Sequence, residues 1–265
     1  MKILYRIAVI IFNLCLLFSA IITPALLIAS NEEYYHDQFE KNGIYSHTDE
    51  NGKTVYTQIR YINENYKWKA AFTDEQLDEL ISHIVNYLFT DMESFYLEMD
   101  NVMINGETKD DVPIFGETAV LHMKDVKTLM QTALWGAVFG WIIAASLLAL
   151  FIIKRQEVSE LLLKYTLVFY VILLIIAILF CLWTLSSISG DTIESFSSKL
   201  WENMHHLLFP FQPEKFKNSF FNDTLTHILT LELFLDAVSI VLAVTVGVLA
   251  AWFGGIIFIK KKTKQ

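Results

Sequence analysis

His122 and Asp125 stand three residues apart in AVLHMKDVKTLM, residues 119–130. On a helix this spacing puts imidazole and carboxylate on one face. A carboxylate beside an imidazole fixes its tautomer and raises its basicity, so the pair has the parts of a general base. The same spacing suits a solvated helix face, and the local pattern alone favours that reading. A second pair, His205 and His206, lies in MHHLLF. Helical neighbours point in different directions, so at most one of the two faces a given site. The other histidines are His36, His47, His83 and His227. Other chemistries lack their residues: there is no GxSxG elbow, HExxH helix, CxxC pair, Walker loop or GxGxxG turn. No metal-ligand spacing is present, and neither a metal nor a cofactor is expected.

The elements that must hold these residues are dominated by lipid-compatible runs. Of the 265 residues 54% are hydrophobic and 18% charged, and the apolar ones concentrate in residues 7–30, 128–153, 165–190 and 237–259. Each run exceeds the roughly 20 residues that cross a bilayer core. A backbone in lipid must satisfy its own hydrogen bonds, so each run reads as a helix. The first begins with Lys2 and Arg6 like a signal sequence. It is longer than a usual signal core and lacks a small-residue cleavage site, which makes it a retained signal anchor. Pro24 is expected to kink it.

Charge sets the orientation. Lys2 and Arg6, then Lys154, Arg155 and Lys164, then Lys260, Lys261, Lys262 and Lys264 flank the spans on alternate sides. The positive-inside rule assigns all three groups to the cytoplasm. The expected order is span 1 within 1–30, an extracytoplasmic region 31–127, span 2 at 128–153 and a cytoplasmic link 154–164. Span 3 at 165–190, an interfacial extracytoplasmic segment 191–236, span 4 at 237–259 and a basic cytoplasmic tail 260–265 follow. Both termini are then cytoplasmic. The net charge of −9 reflects the outer segments, and no basic cluster of the kind nucleic acid requires is present. Cys15 and Cys181 both fall in spans, so no disulfide framework holds the outer region. The fold class expected is mainly α, integral membrane, with four transmembrane helices and a small α+β extracytoplasmic domain.

Within 31–127, residues 43–61 alternate around Asn51-Gly52, a type I′ hairpin signal. Thr73 and Gln76 form a capping box. Leu77, Leu80, Ile81, Ile84, Val85 and Leu88 then keep helical spacing, predicting an amphipathic helix. Residues 101–114 read as a polar loop ending near Pro113. From about Gly116 a helix runs without proline into span 2, which places His122 roughly 10–15 Å above the apolar boundary. In 191–236, Phe196, Leu200, Trp201, Met204, Leu207, Leu208 and Phe211 keep near-helical spacing. Such a segment can lie in the membrane interface, ended by Pro210 and Pro213. Phe209, Phe216, Phe220 and Phe221 add to its aromatic density. Asp236, at the outer edge of span 4, reads either as a site residue or as an interfacial charge.

Four spans, FTDEQLDELISHIVNYL as an outer helix, then HMKDVK and MHHLLF in order, resemble a family of small bacterial integral membrane proteins. Its characterised members are lipoprotein intramolecular transacylases. The match at His122, Met123, Asp125, Val126 and Lys127 is the most specific. The second motif departs from the family pattern, with Met204 before His205 where phenylalanine is usual and no tryptophan after Phe209. Ala119 stands where the family often has an acid, with Glu117 nearby.

The resemblance implies two catalytic histidines, His122 and His205, with His206 as the alternative to His205 and Asp125 orienting His122. It implies transfer of the sn-2 acyl chain of a diacylglyceryl-cysteine to the amine of that cysteine, giving a lyso-form lipoprotein. The expected partners are a diacylated lipoprotein N-terminus and membrane lipid, met on the extracytoplasmic face. An α-ammonium of pKa about 7.7–8.0 needs only a mild base, and an imidazole near pKa 6.5 suits that task. The competing reading is a non-enzymatic membrane sensor or accessory subunit whose outer domain binds a partner.

Overall fold

The computed structural model describes residues 2–186, 193–209 and 223–263. In chain order its elements are α1 (Lys2–Ala29), α2 (Glu32–Lys41), β1 (His47–Thr48), β2 (Thr54–Val55), β3 (Thr57–Ile59), β4 (Ala70–Phe72), α3 (Asp74–Phe89), β5 (Glu98–Met99), β6 (Val102–Ile104), β7 (Glu107–Lys109) and β8 (Val112–Pro113). There follow α4 (Glu117–Ile153), α5 (Arg155–Ser186), α6 (Ile193–Leu208), α7 (Thr224–Ile228) and α8 (Leu231–Thr263). Helices α1, α4, α5 and α8 are long and apolar enough to cross a membrane, as the four apolar runs require. The chain forms two compact units. One comprises Met1–Ala25, Ala133–Leu208 and Ala237–Gln265, and the other Leu26–Thr132 and Phe209–Asp236.

In the first unit α1 is the hub, because its scattered polar side chains find partners on two other helices and its backbone accepts a bond from a third. Ser19 Oγ donates to the Ala137 carbonyl at 3.2 Å, and Trp141 Nε1 donates to Thr23 Oγ1 at 2.9 Å, both tying α1 to α4. Asn13 Nδ2 donates to Thr166 Oγ1 of α5 at 3.1 Å, and Thr245 Oγ1 of α8 donates to the Ala20 carbonyl at 3.0 Å. Lipid tails offer no hydrophobic drive between helices, so close approach and such bonds hold them together. Gly136 and Gly140 supply the close approach in GAVFG. A Cβ at Gly136 would sit 3.0 Å from the Phe18 ring, and one at Gly140 would collide with the Ser19 hydroxyl. An apolar cluster of Val9, Phe12, Leu16, Ala144, Phe151, Val158, Leu162 and Ile256 fills the space between these helices. The basic ends gather on one side of this unit: Tyr5 donates to Glu157 at 3.1 Å, Arg6 lies over the Tyr165 ring, and Lys260 pairs with Glu160 at 3.1 Å.

In the second unit α3 packs on a small sheet. The predicted capping box is present, with Thr73 Oγ1 accepting from Gln76 N and Gln76 Oε1 accepting from Thr73 N. The apolar stripe Leu77, Leu80, Ile81, Ile84 and Leu88 is buried in one core with Ile59, Ala70, Phe72, Val102 and Ile104. Those five come from the antiparallel sheet β3-β4-β6-β7. Helix α2, which the sequence reading left unassigned, adds Tyr35 and Phe39 to that core and is capped by Asn31.

The hairpin around Asn51-Gly52 forms, pairing His47 with Val55 and Thr48 with Thr54. Its turn is wider than the expected type I′, because the Asp49 carboxylate accepts from the Asn51 and Lys53 amides. Two-residue turns with both central residues at positive φ form instead at Asn105-Gly106, at 54° and 88°, joining β6 to β7 with Ile104 opposite Glu107, and at Asn63-Glu64, between Ile62 and Asn65. Residues 101–114 are therefore not the polar loop expected. They carry β6, β7 and β8, with Met99 opposite Val112 in a further pair.

Candidate active site

The helix that carries HMKDVK is continuous from Glu117 to Ile153. Ala119, Met123 and His122 are all buried, His122 at 7% exposure, whereas Leu121, Lys124 and Asp125 are exposed. Positions 119, 122, 123 and 126 share one face of α4, and that face belongs to the core of the second unit. His122 is thus on the inward ridge. The solvated-face reading that the local pattern favoured does not hold.

Two residues, His122 and Lys127, anchor this stretch of α4. The His122 ring lies 5.1 Å from the Phe209 ring, centroid to centroid, inclined at 60°. Phe209 is the fourth residue after His205 and directly follows α6. Lys127 Nζ donates to the Met92 carbonyl at 2.6 Å and sits 4.6 Å over the Tyr87 ring, tying α4 to the strand-free stretch after α3. Tyr87 is pushed above its ordinary pKa by burial and by the charge of Asp125. Asp125 is exposed, and its charge reaches Tyr87.

His205 and His206 lie on α6, and their side chains are outside the described residues. So are the side chain of Trp201 and residues Pro210, Phe211, Pro213, Phe216, Phe220 and Phe221. The other histidines have separate settings. His83 Nε2 bonds the Phe95 carbonyl at 3.0 Å and its ring packs on Phe95 and Phe115; burial lowers its pKa. His36 pairs with Asp78 at 3.1 Å and with the Tyr45 hydroxyl. His47 is exposed in β1. His227 lies in α7, where burial lowers its pKa. Asp236 forms an ion pair with Lys41 of α2. Among the described residues, no three His, Cys, Asp or Glu side chains converge as metal ligands.

Sequence reasoning missed Asp223. Its side chain is fully buried, with Oδ2 accepting from the Gly116 amide at 2.7 Å and Oδ1 from the Leu225 amide at 2.9 Å. Burial, against these two bonds and helped by the charge of Glu64, pushes its carboxyl up to about 6. The available signal was Asp223-Thr224 ahead of a short apolar run, an N-cap pattern. Its partner 107 positions away in sequence carries no local signal.

The sequence profile of the family described as lipoprotein intramolecular transacylase Lit matches residues 9–234. The chain belongs to that family. Lit enzymes are acyltransferases of the intramolecular transacylase type, and this decides between the enzyme and the sensor readings. The structure of the membrane-integral lipoprotein intramolecular transacylase Lit from Bacillus cereus matches over 100% of this chain and 99% of that one. The TM-score is 0.60 at 13% identity, a likeness of fold. No curated protein matches the sequence. The fold class is the one expected: mostly helical, a multi-pass membrane protein with four candidate spans among the described residues and a small sheet region.

Proposed function

We propose that this Lit-family chain transfers the sn-2 acyl group of a diacylglyceryl-cysteine to the α-amine of the same cysteine, with His122 as general base and His205, or alternatively His206, as general acid. The amine nitrogen attacks the ester carbonyl; the N–C(acyl) bond forms and the bond between the acyl carbon and the ester oxygen breaks, that oxygen remaining on glycerol C2. One imidazole takes the proton from nitrogen, and a second gives a proton to the leaving glycerol oxygen. Each such group contributes typically about 10²–10⁴-fold. No water is consumed and no acyl-enzyme is required.

The observation that carries this reading is the burial of His122 on the inward face of a helix continuous with a membrane span. A residue there keeps a fixed height along α4, about 9 Å of helical rise before Thr128, where the apolar run starts, a little under the 10–15 Å expected from sequence. Acyl chains stay in lipid while the ester and amine sit at the head-group level, so a base must be held at such a height. Phe209 against the His122 ring supports the involvement of the MHHLLF segment, since the chain reaches Phe209 directly from His205-His206. The basic chain ends gathered on one side support a cytoplasmic placement of both termini. The substrate then meets the opposite, extracytoplasmic side.

The product is an isomer of the substrate, so intact mass is silent. Expression in a bacterium whose lipoproteins are diacylated, followed by amine labelling and fragmentation of their N-terminal lipopeptides, tests the proposal. Loss of the reactive amine, with an acyl fragment on nitrogen, is expected. A free amine despite good expression would refute it.

A further inference from the structure

Phe209 and Asp223 bracket a segment whose two ends both attach to the helix of His122. At one end Phe209 lies on the His122 ring. At the other, Asp223 and Thr224 clasp the start of α4: the Gly116 amide donates to Asp223 Oδ2, and Thr224 Oγ1 donates to the Ile114 carbonyl at 2.7 Å. Asp223, Thr224 and Ile114 are each 0% exposed, so these bonds form away from bulk water. There a bond left unmade costs more than the bond itself contributes.

The local geometry is built around this bond. Gly116 immediately precedes α4, and its carbonyl accepts the first bond of the helix from Val120 at 3.0 Å. A Cβ at Gly116 would lie 2.9 Å from Asp223 Oδ2 and 2.8 Å from Glu64 Cγ. Glycine therefore lets both acidic side chains approach the backbone at this point. Glu64 comes from the tight Asn63-Glu64 turn, where both residues are left-handed, at φ 44° and 63°. Asp223 also caps α7 through Leu225, so one carboxylate joins the amino ends of two helices. A cap of this kind fixes the direction in which α4 leaves the sheet, and His122 stands less than two turns further on.

We infer that Asp223 is a positioning residue for the acyl transfer, acting through the Gly116 amide to hold the amino end of α4 and so the placement of the His122 ring. This rests on the reading of His122 as the base. Asp223 itself does not touch the reacting atoms in this role. Displacement of a base by about 1 Å can cost about 10²-fold, and a loss of that order in kcat, with KM unchanged, is the expected effect of Asp223→Ala.

The test uses the full-length protein in lipid nanodiscs with a synthetic diacylated lipopeptide. Four variants are compared: Asp223→Ala, Asp223→Asn, Gly116→Ala and His122→Ala. Asp223→Asn keeps a side-chain oxygen that can accept from the Gly116 amide, so it should retain most of kcat. Gly116→Ala keeps the Asp223 carboxylate but displaces it, and should show the same kcat loss as Asp223→Ala. Amide hydrogen exchange over residues 116–123 should quicken in Asp223→Ala and Gly116→Ala, while α1 and α5 stay protected. Full kcat in Asp223→Ala overturns the inference, as does an Asp223→Asn variant as inactive as Asp223→Ala. Unchanged exchange at the start of α4 also overturns it. Activity in His122→Ala would instead sink the reading of His122, whatever the exchange data say of the clasp.

Discussion

The ring of His122 packs at 5.1 Å on the ring of Phe209, and His122 is 7% exposed. A histidine shielded in this way has its ring plane set by its neighbours. Phe209→Ala removes a contact worth about 0.5–1.5 kcal/mol beyond its buried area. It should lower turnover of a diacylated lipopeptide while the protein still inserts in the membrane. Amine-labelling kinetics on purified protein check this, and wild-type turnover in Phe209→Ala would show that the contact is incidental.

Gly140 allows α1 and α4 to meet, and Ser19 occupies the space its side chain would need. Gly140→Leu forces the helices apart and breaks the Ser19 bond to Ala137, a strain of about 1–3 kcal/mol. Gly247→Leu, at a glycine with open space around it, is the matched control. Thermal denaturation in detergent should show a clear drop for the first and none for the second.

Burial raises the Asp223 carboxyl from 3.8 to about 6. A carboxyl harder to ionise in the fold than in the unfolded chain contributes stability below its unfolded pKa. That contribution is lost as pH rises through its folded value. Asp223 should therefore make the protein less stable as pH climbs from about 4 to about 6, by on the order of 3 kcal/mol in all. Asp223→Asn cannot ionise. The difference in unfolding free energy between wild type and Asp223→Asn should change across that window and be flat above it.

Lys127 donates to the Met92 carbonyl and lies over Tyr87. A charge-assisted bond contributes about 1.5–3 kcal/mol, and a cation–π contact about 0.5–1 kcal/mol at an exposed site. Lys127→Met keeps the stem and removes both. Limited proteolysis should then cut faster at residues 90–97, with cleavage elsewhere unaltered.

Much of this was readable from residue pattern. Apolar runs of this length specify spans because a continuous apolar segment of about 20 residues or more can satisfy its own backbone in lipid as a helix. The capping box at Thr73 and the Leu77–Leu88 stripe specify α3 because both are local. What escaped was non-local or short. Residues 101–114 look polar, yet Val102, Ile104 and Val112 are enough to seat two- and three-residue strands against α3. Of three Asn-Gly pairs, Asn42-Gly43 closes α2, Asp49 captures Asn51-Gly52 into a wider turn, and Asn105-Gly106 forms the two-residue turn. His122 could be singled out by type and spacing, but its burial depends on which face of α4 meets a core drawn from the whole outer region. The bond from Gly116 to Asp223 joins positions 107 apart, and no window of sequence displays it.

The proposed role of His122 is to remove the proton from the attacking amine. The most direct measurement compares wild type with His122→Ala, both shown to be inserted and folded, by following the free α-amine of a diacylated lipopeptide and fragmenting the product. Wild type should consume the amine and place an acyl group on nitrogen at unchanged mass, and His122→Ala should leave the amine free. Conversion at the wild-type rate by His122→Ala would contradict the account.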